Sequence, residues 1–339
     1  MESCRIAIIG ATGAVGVKFI ELLDTREFPT SSIRVCASER SYGNKIWVRG
    51  EELTIEEPTA KLFSEVDIVF ISANGDVSRE LAPKAVRNGA LVIDDSSAFR
   101  MNDNVPLVVP EVNIEDLESH DGIISIPNCS TTPLVMILKA LNDVNPVKRV
   151  VVDTFQSVSG TGKAAVNELR RQSEQILNYD DIESFEYPHQ IAFNVLPHIE
   201  PFLDNGYTRE EMKMRDEARK ILHLPDLAVS ATCVRVPVMV SHSEAVHIEF
   251  TNAIDVETVR ERLDHFPGIL LLDDPASNLY PMPIEAEGLD EVLVGRIRKD
   301  ISHPNGIAMW LSSDNLRKGA AVNALQIAEE ILIRDLITN

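Results

Sequence analysis

Residues 4–9 (Cys-Arg-Ile-Ala-Ile-Ile) run apolar up to Gly10, and the segment 10–16 reads Gly-Ala-Thr-Gly-Ala-Val-Gly. An amphipathic stretch with Val17, Phe19, Ile20, Leu22 and Leu23 follows, so the pattern predicts strand, glycine turn, helix. Ile33 to Ala37 reads as a second strand, and 66–71, 91–93 and 123–126 add three more continuous apolar runs. Helical patterns fall between several of them, as around 78–88. Strands that are continuously apolar rather than alternating predict a parallel sheet covered on both faces. The acidic segment 51–57 predicts a solvated surface loop.

After about residue 145 the texture changes. Segments 147–157, 228–238, 245–250 and 292–299 read as longer, more alternating strands, interrupted by helical patterns near 163–177, 208–222 and 255–265. That mixture predicts an α+β domain with a mixed or antiparallel sheet. The stretch 316–337 is helical, with Val322, Leu325, Ile327, Ala328, Ile331 and Leu332 at helical spacing.

Composition narrows the function. At 339 residues the chain is long for one core, so two domains are expected. A formal charge of −21 argues against a nucleic-acid partner and requires any anion site to be built from a few placed Arg and Lys residues. No apolar stretch approaches a bilayer span, and Met1 to Gly10 carry one Arg and no leader pattern, so no membrane partner and a cytoplasmic location are expected. Cys4, Cys36, Cys129 and Cys233 are scattered without C-x-x-C pairing, which supports neither a disulfide framework nor a metal site.

Glycines 10, 13 and 16 lie where a dinucleotide fingerprint belongs, between a strand and a helix, although their spacing is G-x-x-G-x-x-G. Without side chains the backbone can approach a pyrophosphate, and the helix start offers amide donors. Gly10, Thr12, Gly13, Ala14 and Val15 are the candidate loop residues. At the end of the second strand, Ser38, Arg40 and Ser41 suit a 2′-phosphate, which favours NADP; Glu39 among them points the other way unless it faces solvent.

Cys129 follows the strand at 123–126 and precedes the periodic stretch 134–141. Asn128 or Ser130 is the candidate cap, and Pro133 fits the first turn. A cysteine at a helix start gains thiolate stabilisation, and the same amides can receive an oxyanion. Cys129 is therefore the candidate nucleophile, whereas Cys4, Cys36 and Cys233 sit inside strand-like runs and read as buried.

Seven segments in order carry a resemblance: the glycine loop, 96–100 (Ser-Ser-Ala-Phe-Arg), 109–113 (Val-Pro-Glu-Val-Asn), 127–131 (Pro-Asn-Cys-Ser-Thr), 156–160 (Gln-Ser-Val-Ser-Gly), Arg235-Val-Pro-Val with His242-Ser-Glu, and 313–321. In these the chain resembles the aspartate-semialdehyde dehydrogenase family over nearly its whole length. The resemblance implies an α/β fold: a Rossmann-like nucleotide-binding domain, 1–127 with 315–339, and an α+β catalytic and dimerisation domain with a mixed sheet, 128–314. It implies that Cys129 attacks L-4-aspartyl phosphate and forms a thioester, which NADPH reduces. His242 would be the acid/base group, and Gln156 would contact substrate near the carbonyl. Arg235 would grip the α-carboxylate by a bidentate fork, and Glu210 would meet the α-ammonium. Arg100, Lys213 and Asn128 would serve the phosphoryl group. Ser159, Gly160 and Asn315 would complete the NADP site. A homodimer and a place on the route to lysine, threonine and methionine are implied in the same way.

The helix around Glu210 reads Glu-Glu-Met-Lys, where an aromatic often replaces Met212, and an exposed intrahelical ion pair is the alternative for Glu210 and Lys213. N-acetyl-γ-glutamyl-phosphate reductase shares the chemistry, but its Asn-Pro-Gly-Cys-Tyr context is absent. Glyceraldehyde-3-phosphate dehydrogenase would show Ser-Cys-Thr-Thr-Asn, also absent. A non-catalytic nucleotide-binding paralogue would be free to lose Cys129, Gln156, Arg235 and His242, and all four are present.

Overall fold

The computed structural model describes residues 3–337. Met1 and Glu2, part of the segment read for a leader, and Thr338 and Asn339, the end of the expected nucleotide domain, lie outside the described residues.

The chain forms two compact units, one running to Asn128 and resuming at Ala320, the other spanning Cys129–Gly319. In the first unit, β1 (Cys4–Ile9), β2 (Thr30–Cys36), β3 (Lys45–Val48), β4 (Glu51–Glu56), β5 (Ile68–Ile71), β6 (Leu91–Asp94) and β7 (Ile123–Ser125) make one sheet in the order β3-β4-β2-β1-β5-β6-β7. All pairings are parallel except β3 with β4. β5 and β6 are buried at every position, which is why they read as unbroken apolar runs. Helix α1 (Ala14–Thr25) covers the sheet through Phe19, Leu22 and Leu23, and α2 (Gly75–Arg87) through Leu81, Ala82 and Ala85. The strand order reverses direction beside β1, so a crevice opens at the carboxyl ends of β1 and β5.

The acidic segment at 51–57 is not a loop. It forms β4, pairing with β2 at Val35↔Ile55 and Cys36↔Glu56 and with β3 at Ile46↔Leu53. Leu53 and Ile55 turn inward while Glu52 and Glu56 find Lys45 and Arg34 on neighbouring strands. Alternation with cross-strand cations outweighs the acidic count.

In the second unit, α3 (Thr131–Asn142) leads into β8 (Val147–Gln156), followed by α4 (Lys163–Asn178), α5 (Arg209–Ile221), β9 (Ala228–Arg235), β10 (His242–Phe250), α6 (Val256–Asp264), β11 (Ile269–Leu271), β12 (Val292–Lys299) and β13 (Gly306–Ser313). The sheet order is β11-β12-β13-β10-β8-β9, mixed as expected, with β8 and β9 parallel and β10 antiparallel to both β8 and β13. β11 and β13 are additional to the strands legible in the sequence. Helices α3, α5 and α6 pack against it. On β8 the buried positions alternate as Val150, Val152, Thr154 and Gln156. The face is thus apolar along most of its length and polar at one end.

The final helix begins later than its pattern suggests. A π-helical turn at Arg317–Ala321 precedes α7 (Val322–Arg334), whose Leu325, Ile327, Ala328 and Ile331 are buried in the first unit's core. The chain therefore re-enters that unit at Ala320, Asn315 belongs to the second unit, and Asn128 closes the first. Among the described residues no helix is long and apolar enough to cross a membrane, and no three His, Cys, Asp or Glu side chains gather as metal ligands.

Candidate active site

In the first unit the glycine loop is shaped by sterics. Gly10 has φ +88°, a left-handed conformation, and a Cβ there would lie 2.0 Å from the Ser72 carbonyl oxygen. A Cβ on Gly16 would lie 2.2 Å from the Gly10 carbonyl, so α1 can approach the turn only without a side chain at that position. The N–H groups of Gly10 and Ala11 donate to the Cys36 carbonyl at 2.9 and 3.0 Å, tying the turn to the end of β2. Gly13 caps α1 with no side chain to occupy the first amides, and the first turn carries no acid. This cradle fits a pyrophosphate. Thr12 and Gly13 are exposed, and Ala14 and Val15 partly so.

Ser38 precedes a 3-10 turn over Glu39–Ser41. Ser38, Glu39 and Arg40 are exposed, Ser41 half-buried, and Arg40 makes no ion pair among the described residues. Arg100 is buried, its Nη2 donating to the Asp95 carbonyl at 2.7 Å, and Asn128 is buried at the end of the unit.

In the second unit Cys129 is half-buried and stands just before α3. Ser130 occupies the cap position in α-helical geometry, and its side chain makes no cap hydrogen bond. Pro133 lies in the first turn, where its missing N–H removes no helical hydrogen bond. A Cβ on Gly319 would lie 3.0 Å from Cys129 Cβ and 3.2 Å from its Cα, so glycine lets this segment pass close to the cysteine. The other three cysteines are buried in strands, and burial raises Cys4 and Cys36 to about 12 and Cys233 higher still. They are poor nucleophiles.

Gln156 ends β8, Arg235 ends β9 in register with it, and His242 opens β10 one step from the Ser243↔Phe155 pair. All three are buried on the sheet's polar end. The Ser157 N–H donates to His242 Nδ1 at 3.0 Å. A backbone N–H can only donate, so Nδ1 accepts and the ring's own hydrogen sits on Nε2. Burial, and then the Arg235 charge, push the imidazole down to about 3, which keeps it neutral. Its Nε2 is buried with no partner and lies 3.1 Å from where a Gly160 Cβ would be, so Gly160 keeps that side open.

Arg235 Nη1 donates to the Ser157 carbonyl at 2.7 Å, while its Nε is buried with no partner. An orphaned Nε–H on a fixed guanidinium is a ready donor for a carboxylate. Gln156 Nε2 donates to Glu210 Oε1 at 2.9 Å, and Lys213 Nζ donates to Glu210 Oε2 at 3.0 Å and to Glu200 Oε1 at 2.6 Å. Glu210 is buried rather than an exposed helical partner, and Glu200 brings a second carboxylate to Lys213 from outside the helix. A capping box of Thr208 and Glu211 starts α5, and Glu211 Oε1 accepts from the Cys233 N–H at 3.0 Å, which pins this helix to β9.

Asn315 Oδ1 accepts from Ser157 Oγ, Ser159 Oγ and the Ser241 N–H at 3.2, 3.0 and 2.9 Å. Its oxygen therefore organises the turn that carries His242. Ser157 lies at the centre of this cluster, within the segment 156–160, and nothing in its sequence neighbourhood marks it for that place. Glu244, two residues beyond His242 on the same face, is fully buried with neither oxygen bonded, and burial raises its carboxyl well above the usual range.

The first unit carries a glycine turn that fits a pyrophosphate, and the second a half-buried cysteine, a neutral histidine and an anchored arginine, the side-chain types a thioester-forming dehydrogenase needs. The chain matches the models described as "Semialdehyde dehydrogenase, NAD binding domain" over residues 5–120 and "Semialdehyde dehydrogenase, dimerisation domain" over 138–318. The aspartate-semialdehyde dehydrogenase of Bacillus subtilis is 48% identical, covering 98% of this chain and 99% of its own. The structure of aspartate semialdehyde dehydrogenase II from Vibrio cholerae complexed with ASA is 44% identical with a TM-score of 0.95, covering 99% of both chains. That of the Candida albicans enzyme with NADP is 27% identical with a TM-score of 0.77, covering 99% of this chain and 100% of its own. The chain belongs to the aspartate-semialdehyde dehydrogenase family.

Proposed function

We propose that the protein converts L-4-aspartyl phosphate to L-aspartate 4-semialdehyde with NADPH, through a thioester on Cys129. The observation that carries this reading is the Arg235 guanidinium, anchored through Nη1 and left with a buried, unbonded Nε–H beside a neutral His242. Arg235 holds the substrate α-carboxylate, and Glu210 holds its α-ammonium. Arg100 and Asn128 in the first unit and Lys213 in the second serve the phosphoryl group.

The Cys129 thiolate attacks the acyl carbon, forming a C–S bond and an oxyanion. The Nε2–H of His242 donates to that oxygen, with Gln156 beside it, and the C–O bond to phosphate breaks. NADPH, when bound, supplies the hydride that reduces the thioester. The His242 Nε2–H again meets the oxygen as charge develops there, and the C–S bond breaks to free the aldehyde and restore the thiolate. Because Nδ1 is taken by the Ser157 N–H, His242 works from its acid side. Gly10, Thr12, Gly13, Ala14 and Val15 hold the pyrophosphate, Ser38, Arg40 and Ser41 the 2′-phosphate, and Ser159, Gly160 and Asn315 serve the cofactor from the second unit. The enzyme works as a cytoplasmic homodimer, joined through its second domain, on the route from aspartate to lysine, threonine and methionine.

The test is NADPH formation from aspartate semialdehyde, NADP and inorganic phosphate. A phosphate-dependent signal is expected, and its absence from a folded sample overturns the proposal.

A further inference from the structure

Arg100 is held within the first unit by a residue that also carries an acid. Its Nη2 donates to the backbone carbonyl of Asp95, and the carboxyl groups of Asp95 and Asp94 both act electrostatically on the guanidinium. The two acids differ in how they are bonded. Asp94 is buried and accepts from Ser78 Oγ at 2.7 Å, from Ser96 Oγ at 2.8 Å and from the Ser96 N–H at 3.2 Å. Burial raises its carboxyl, and these three donors oppose the rise. Asp95 is half-buried and accepts from Ser72 Oγ at 3.2 Å. It lines a small cavity at the carboxyl ends of β1, β5 and β6.

The charged groups that face Asp95 are Arg100 and Asp94. The other elements around the cavity present only apolar side chains and backbone, as Val15 and Gly16 of α1, Ile126 after β7 and Ala320 and Ala324 before and within α7. Burial is the largest influence on Asp95 and, with Asp94 adding to it and Arg100 and Ser72 opposing, raises its carboxyl to about 6. The group exchanges its proton close to neutral pH. The Arg100 Nη2 bond goes to the Asp95 carbonyl and not to its carboxylate, so protonation leaves that bond in place while the charge beside Arg100 changes.

We propose that Asp95 is a positioning residue for phosphoryl capture: as a carboxylate it competes for the Arg100 charge, and as a neutral acid it yields that charge to the incoming anion. This rests on the assignment of Arg100 to the phosphoryl group. Coupling between two sites is reciprocal, and a charge within a few ångströms shifts a neighbouring carboxyl by one unit or more, so anion affinity changes about tenfold between the two states of Asp95.

The probe is sulfate, whose charge is constant across the range, used as a competitor of phosphate in the NADPH-forming reaction. For the parent enzyme its inhibition constant is expected to rise about tenfold from about pH 5.5 to about pH 8.5. In Asp95→Asn it is expected to stay low and flat, with the cofactor KM unchanged. Ser72→Ala, which removes a bond to the carboxylate form, is expected to move the midpoint of the parent curve to higher pH. A parent slope that survives in Asp95→Asn overturns the inference, as does weaker sulfate inhibition in that variant at every pH. Should Asp95→Asn fail to fold, an unmoved midpoint in Ser72→Ala overturns it instead. Arg100→Gln separates the two claims. If sulfate inhibition persists in that variant, the assignment of Arg100 falls; if it is lost while Asp95→Asn keeps the slope, only the role of Asp95 falls.

Discussion

The glycine cradle of the first unit and the His242 cluster of the second solve different problems with different parts of the chain. The cradle is made of backbone: Gly10 in a left-handed turn, Gly16 under a carbonyl, and helix amides without a side-chain cap. The cluster is made of side chains from strand ends far apart in sequence, oriented by one serine and one asparagine. Sterics fix the first, and buried hydrogen bonds fix the second. The two should therefore fail differently when altered.

The largest effect is expected from Gly10→Ala. It forces a Cβ against the Ser72 carbonyl in a left-handed turn and should destabilise the first unit by about 3 kcal/mol or more, with NADP binding lost. Chemical unfolding and cofactor titration check this, and normal NADP affinity in the variant would show that the turn tolerates side chains. Arg235→Lys is the corresponding change in the cluster. Lysine can neither keep the Ser157 bond in a planar fork nor present an Nε–H, so KM for aspartate semialdehyde should rise roughly 10- to 100-fold while NADP affinity stays unchanged. Steady-state kinetics with each substrate varied separately would expose a cross-effect and break the comparison.

Glu244→Gln gives the smallest effect. Its raised carboxyl means that the folded protein binds that proton more tightly than the unfolded chain does. The stability it contributes is full below the unfolded carboxyl value and is lost as pH climbs toward the folded one. The melting temperature of the variant should match the parent near about pH 5 and exceed it by a few degrees near about pH 8. Parallel curves would mean that Glu244 is ionised in the folded state.

The cradle was legible residue by residue because glycine placement between an apolar strand and an amphipathic helix has few physical explanations. The buried strands β5 and β6 were legible for the same reason. β4 is masked by its acids, which hide the alternation of the inward-facing Leu53 and Ile55. The cluster was legible only through resemblance: nothing in local spacing says that Ser157 will meet His242, or that Asn315 will join them. Ser157, Gly319, Glu200 and Asp95 acquire meaning from neighbours that the fold supplies. The start of α7 shows a related limit, since helical periodicity cannot register the π-helical turn that delays it.

Everything proposed for the second unit depends on Cys129 carrying the acyl group. Intact-protein and peptide mass spectrometry after acid quench, with aspartate semialdehyde and NADP present and phosphate omitted, reads this directly. The expected result is a thioester adduct of one aspartyl group on the peptide containing Cys129, discharged by added phosphate and absent from Cys129→Ala. An adduct on another residue, or turnover by Cys129→Ala near the parent rate, would contradict it.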